Sequence, residues 1–197
     1  MRCHARQTVA ALFVLAALVA PAAVLADGGG AARARAASER CDLADAVPGR
    51  APVQDVREAT LCLMNAQRTA RGVGRLRAQP ALSEAAGRYA RQMVRDRFFD
   101  HTSPGGSTMV SRIRSTSYLR GVVSWAVGEN LAWGSGPMAT PRATVQAWMR
   151  SASHRANLLD RRFTDVGIGI AQGGPQSLPP GELAATYVTD FGRRQRG

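Results

Sequence analysis

The stretch Trp148–Ile170, WMRSASHRANLLDRRFTDVGIGI, carries the change of periodicity on which the fold turns. Upstream, Thr140 as N-cap and Pro141 in the first turn start a helix that points Val145, Trp148 and Met149 inward and loses its pattern near Ser151. Ser151–Leu159, with His154 in it, then reads as the segment that turns the chain. Downstream, Val166, Ile168 and Ile170 alternate with Gly167 and Gly169, which predicts a strand pressed close to another backbone. Gly173–Gly181 (GGPQSLPPG) reads as a hairpin loop, and Ala185–Phe191 (ATYVTDF) as the returning strand.

Working back from that stretch, the first helix is expected over Val53–Arg71, with Val56, Thr60, Leu63 and Ala66 on one side and Gly72 ending it. A second helix starts near Pro80, where Leu82, Ala85, Ala86, Tyr89, Ala90, Met93 and Val94 form one apolar stripe. Phe98–Gly106 (FFDHTSPGG) is rich in turn formers and places His101 on a loop just past that helix. A short third helix begins at Ser107 or Thr108. Gly121–Gly134 (GVVSWAVGENLAWG) is apolar apart from Ser124, Glu129 and Asn130, and its second half reads as a buried strand. A carboxylate in such a run is costly to bury alone, so Glu129 requires a partner. Helices mixed with about three short strands, without strict βαβ alternation, predict an antiparallel sheet covered by helices.

The chain opens with two arginines in Met1–Arg6, an apolar run Thr8–Ala20 and small residues at Val24-Leu25-Ala26, which together read as a secretory signal peptide over residues 1–26. The run is too short to span a membrane, so no transmembrane segment and a secreted or cell-envelope location are expected. Residues 27–52, rich in Ala, Gly, Arg and Pro, read as a flexible N-terminal extension ahead of one domain over 53–197. The chain has 26 arginines, no lysine and 14 acids. The lack of lysine points to a GC-rich bacterial genome. After residue 26 there remain 24 arginines against 14 acids, a net +10. This balance suits anionic envelope polymers or lipid head groups. The arginines are scattered over the polar sides of helices and not bunched with aromatics, so they read as solvated surface and no nucleic-acid partner is expected. Cys41 and Cys62 are the only cysteines beyond the leader, and an oxidising compartment favours their pairing.

The ordered motifs LCLMNAQRTARGV, FFDHTSPGG, GENLAWG, WMRSASHRANLLDRRFTDVGIGIA and YVTDFG, spread over residues 53–192, resemble the CAP superfamily, the cysteine-rich secretory protein, antigen 5 and pathogenesis-related 1 group, in its bacterial SCP-like branch. The resemblance implies a three-layer α-β-α sandwich with a central antiparallel sheet and a cleft where two histidines and acidic residues gather. Carried over by motif, these are His101, Glu129 and His154. The resemblance also implies lipid or sterol ligands or an envelope partner in some members, and a monomer is expected here. The family's second acid, three residues beyond the helix tryptophan, is replaced by Ser151; Asp100 or Asp190 could restore a carboxylate, and the sequence places neither.

Two imidazoles and a carboxylate match the ligand sets of many zinc sites, so His101, His154 and Glu129 are candidate ligands for zinc or another divalent metal. The same residues also make a hydrogen-bonded polar cluster without metal, and the sequence leaves both readings open. No GxSxG elbow or HExxH helix is present. The one catalytic scheme available is therefore a metal-dependent, peptidase-like hydrolase with Glu129 as general base. The competing reading is a ligand- or envelope-binding module. Asn130 and Asn157 are expected to brace loops, Arg155 to meet an acid or an anionic ligand, and Trp125, Trp133 and Trp148 to lie in the core.

Overall fold

The computed structural model describes residues 41–197 together with residues 29, 30 and 32–34. The signal peptide expected over Met1–Ala26 lies outside the described residues. From Cys41 onward the chain is tied to the domain. Cys41 is bonded to Cys62 with a Cα–Cα distance of 5.8 Å, Ala44 is buried, and Asp45 pairs with Arg142 at 2.8 Å.

The elements run α1 (Val53–Thr69), β1 (Arg77–Ala78), α2 (Pro80–Asp96), α3 (Met109–Arg114), β2 (Val122–Ser135), a 3-10 turn (Gly136–Ala139), α4 (Pro141–Arg150), α5 (Ala152–Leu159), β3 (Asp165–Gln172) and β4 (Ala184–Arg196). The sheet order is β1-β3-β4-β2. β4 pairs antiparallel with both neighbours, but β1 pairs parallel with β3 through Arg77 and Ala78. The sheet is therefore mixed, where a purely antiparallel one was expected. A two-residue strand has no period to read.

Helices cover both faces. On one, Val56, Leu63 and Met64 of α1, Trp148 of α4 and Leu158 of α5 pack with Val166, Ile168, Tyr187 and Phe191. On the other, Ala86, Tyr89, Ala90 and Met93 of α2 meet Leu131 and Val188, while Leu82, Ala85, Ile113 and Tyr118 form a neighbouring cluster. The glycines of β3 set the spacing on this second face. A Cβ at Gly167 would lie 2.1 Å from the Leu82 carbonyl carbon, and one at Gly169 2.2 Å from that of Ala86, so α2 rests directly on the strand.

Three expectations change. Ser151–Leu159 does not merely turn the chain; residues 152–159 form α5, a helix too short to show a clear apolar period. The arginines are not all solvated, because Arg68 and Arg112 are buried. Arg68 donates to the carbonyls of Gly74, Leu158, Asp160 and Phe163 at 2.6–3.0 Å, and so fixes the passage from α5 to β3. Finally, Trp148 is buried and donates to Leu131 O at 3.0 Å, but Trp125 is 39% exposed. Trp125 sits where β2 pairs with residues 193–196 of β4, beyond the reach of β3, so the sheet is only two strands wide there.

Candidate functional site

The site forms around Glu129 and Asn130 on β2, the outermost strand opposite β1. Successive strand residues point to opposite faces. Glu129 faces α2 and α3, and Asn130 faces α5. On the first face, the Arg97 cap takes a left-handed conformation (φ 53°) and turns the chain out of α2. The Tyr89 hydroxyl then donates to the Asp100 carbonyl at 2.6 Å and anchors the loop that carries His101. His101 Nδ1 lies 2.8 Å from Glu129 Oε1. Arg112 of α3 donates to Glu129 Oε2 at 2.6 Å and to the carbonyls of Ser107 and His101 at 2.9 and 3.2 Å. Its guanidinium lies 3.3 Å from the centroid of the Tyr89 ring. Glu129 thus has both oxygens engaged, which answers the need for a partner posed by its apolar surroundings. Arg112 supplies half of that answer and was missed by sequence reading, since one arginine among scattered ones carries no signal.

On the opposite face, Asn130 Nδ2 donates to His154 O at 2.9 Å. Asn157 Nδ2 donates to Glu129 O and Asn130 Oδ1 at 3.1 and 3.0 Å. The two asparagines brace a helix, α5, against β2, where they were expected to brace loops. His101 and His154 therefore approach the strand edge from opposite sides, close enough that His101 depresses His154 electrostatically.

The electrostatics separate the two rings. The hydrogen bond to Glu129 raises the His101 pKa above its ordinary value against the opposing effect of burial. Burial first, and the neighbouring His101 second, lower that of His154. With Nδ1 held by a carboxylate, His101 leaves Nε2 as its free nitrogen, the arrangement in which a carboxylate orients an imidazole from behind. Burial and the Arg112 charge act in opposite directions on Tyr89, whose pKa is pushed up to about 12.

Of the three candidates for a second acid, only Asp190 lies against Glu129. The two are direct cross-strand partners. Asp190 is 1% exposed; no donor among the described residues reaches its oxygens, and once protonated its partner is the neighbouring Glu129 carboxylate. Burial and then the Glu129 charge raise its pKa well above the carboxylate range, with Arg112 opposing. It is a carboxyl group beneath the site and not one presented to a ligand. Asp100 Oδ1 accepts from Thr102 N at 2.9 Å, and Ser151 Oγ is 3.3 Å from Ser153 Oγ. Arg155 donates to Met149 O at 2.9 Å and closes the end of α4, meeting no acid among the described residues.

Among the described residues no group of three or more His, Cys, Asp or Glu side chains is clustered as metal ligands. Glu129 stands behind His101 with both of its oxygens engaged, so it is not a free carboxylate base.

The four-stranded sheet with helices on both faces is the fold of a CAP domain. Residues 61–189 match the model of the cysteine-rich secretory protein family, and the chain belongs to that family. It is 31% identical over 149 residues to the uncharacterized protein YkwD of Bacillus subtilis, covering 76% of this chain and 54% of that one. It is 28% identical over 113 residues to the uncharacterized membrane protein YlbC of the same organism, covering 56% of this chain and 30% of the relative. The chain thus spans about half the length, or less, of these relatives. Among solved structures, an outer surface protein of Borrelia burgdorferi superposes with a TM-score of 0.60 at 21% identity, covering 74% of this chain and 97% of that one. An extracellular SCP-domain protein of Bacillus anthracis gives 0.54 at 22% identity, covering 72% of this chain and 43% of the other. These likenesses show the shared fold.

Proposed function

We propose that the protein is an extracellular binding module that offers the His101 and His154 imidazoles at the outer edge of β2 to a divalent cation or to a ligand carrying one, and that it is not a hydrolase. The observation that carries this reading is the engagement of Glu129, whose oxygens are held by His101 and Arg112. A general base needs a free oxygen within reach of the water it activates. Glu129 instead orients His101, so two imidazoles are the protein's contribution and exchangeable water completes the shell of any bound cation. Two protein ligands hold zinc less firmly than the three or four of catalytic and structural sites. An extracellular location agrees with the signal-peptide pattern, with the Cys41–Cys62 disulfide, and with the description of one structural relative as an extracellular protein.

Calorimetric titration of metal-stripped protein with Zn²⁺ tests the reading. Binding on the order of micromolar or weaker is expected, abolished in a His101→Ala, His154→Ala double variant and weakened in Glu129→Gln. Turnover of a peptide or ester substrate that disappears in Glu129→Gln would instead establish the hydrolase.

A further inference from the structure

The charge of the chain is segregated. Between Asp100 and Glu129 there is no acidic residue, and after Asp190 there is none. The β2–β4 ladder brings these two stretches side by side, pairing Trp125 with Arg194, Ala126 with Arg193 and Val122 with Arg196. Next to this ribbon Arg114 and Arg120 line a hollow of about 430 Å³, whose wall includes Trp125. The Arg114 guanidinium lies 5.8 Å from the centroid of the Trp125 ring. Arg194 leans on Tyr118, at 4.5 Å from its ring centroid, and donates to its carbonyl. Among the described residues, Arg114, Arg120, Arg193 and Arg196 form no ion pair. Within the same patch the side chains of two apolar residues face solvent, Val123 at 70% and Trp125 at 39% exposure. The register slips between Val122 and Ser124, so Val123 is the extra residue of a bulge, a device that re-aims a side chain.

A merely solvated basic surface needs no exposed indole and valine, and a soluble polyanion is met by charge alone. Guanidinium groups beside an exposed Trp and an exposed aliphatic side chain match the boundary of a bilayer, where phosphates lie just outside the depth at which tryptophan settles. We propose that this end of the β2–β4 ribbon docks on an anionic phospholipid bilayer, with Arg114 and Arg120 receiving a lipid phosphate in the hollow and Val123 and Trp125 entering the headgroup region. Arg193, Arg194 and Arg196 add attraction over the surrounding surface. The proposal is independent of the histidine pair, which lies further along β2.

The test is co-sedimentation of the chain from Asp27 onward with vesicles of phosphatidylglycerol in phosphatidylcholine, and with phosphatidylcholine alone. This form omits the apolar leader, and the described fold contains none of residues 1–26. Binding to the anionic vesicles at low salt is expected, with a steep fall as salt rises. Arg114→Ser with Arg120→Ser should weaken it at least tenfold, at about fivefold per arginine. Binding should shift tryptophan emission to the blue, acyl-brominated lipid should quench it, and both signals should vanish in Trp125→Phe. Salt-insensitive binding, equal partition to neutral vesicles, or an unchanged affinity in the arginine double variant with an unaltered thermal transition would overturn the proposal. So would full competition by soluble polyglycerol phosphate together with the absence of a Trp125 signal, which would make the patch a polymer site.

Discussion

Asp190→Asn probes the buried electrostatics beneath the site. Asp190 is 1% exposed, and no donor among the described residues reaches its oxygens. Its cross-strand neighbour Glu129 is already held by Arg112 and His101. Burial and the Glu129 charge raise the Asp190 pKa well above the ordinary carboxylate range. The folded protein therefore keeps a proton on Asp190 that the unfolded chain releases above about pH 4. Because the native state binds more protons there, stability falls as pH rises, by about 1.4 kcal/mol per unit, from the unfolded pKa up to the folded one. Below about pH 4 both states are protonated and this penalty is absent. Asparagine has nearly the shape of the protonated acid and does not titrate. The variant should differ least from the wild type at about pH 4 and gain on it as pH rises toward the raised folded pKa, with a limiting slope of about 1.4 kcal/mol per unit, the gain levelling off once that pKa is passed. Urea unfolding at several pH values between 4 and 7.5 supplies the two curves. His101 and His154 titrate in both proteins and largely cancel in the difference. Parallel curves across the whole range would refute the assignment of a buried proton to Asp190.

Glu129→Gln should lower the His101 pKa, followed by NMR titration of the imidazole, because the hydrogen bond to Glu129 is the main cause of its elevation. In the wild type that pair stabilises the fold fully below the unfolded His pKa of about 6.5 and is lost as pH rises through the elevated folded value, so an unchanged His101 titration would contradict the pairing. Arg68→Met leaves four carbonyls without their charged donor and should cost about 3 kcal/mol or more in chemical denaturation; Arg68→Lys should recover little, since an ammonium lacks the planar fork that reaches all four. Gly169→Ala would place a Cβ 2.2 Å from the Ala86 carbonyl carbon and should destabilise by about 1–3 kcal/mol. Gly105→Ala, with its nearest neighbour 4.0 Å away, is the control expected to be near neutral in thermal unfolding.

Elements with a period, or with punctuation at both ends, were legible before any tertiary structure. The stripe of α2 from Leu82 to Met93 is the buried face, and Gly167 and Gly169 mark the close approach of a helix, as the alternation in DVGIGIA implied. Thr140 caps α4 through a side-chain bond to Ala143 N at 3.2 Å. The Cys41–Cys62 pairing needed only the count of cysteines and an oxidising setting. Short elements failed this test. α5 has eight residues and β1 two, too few to show a period. Trp125 was expected inside because its segment is apolar, yet burial depends on how many strands and helices cover it.

The site divides in the same way. Sequence alone singled out His101, Glu129 and His154 as candidates and required a partner for the carboxylate in GVVSWAVGENLAWG, because burying an isolated charge is prohibitive. Only the tertiary structure decided who answers that demand. Arg112 arrives from α3 on the same face of β2, and Asp190 stands opposite Glu129 through β-ladder register. Cross-strand register and helix docking bring together residues distant in the chain, and no local pattern in either segment encodes its partner.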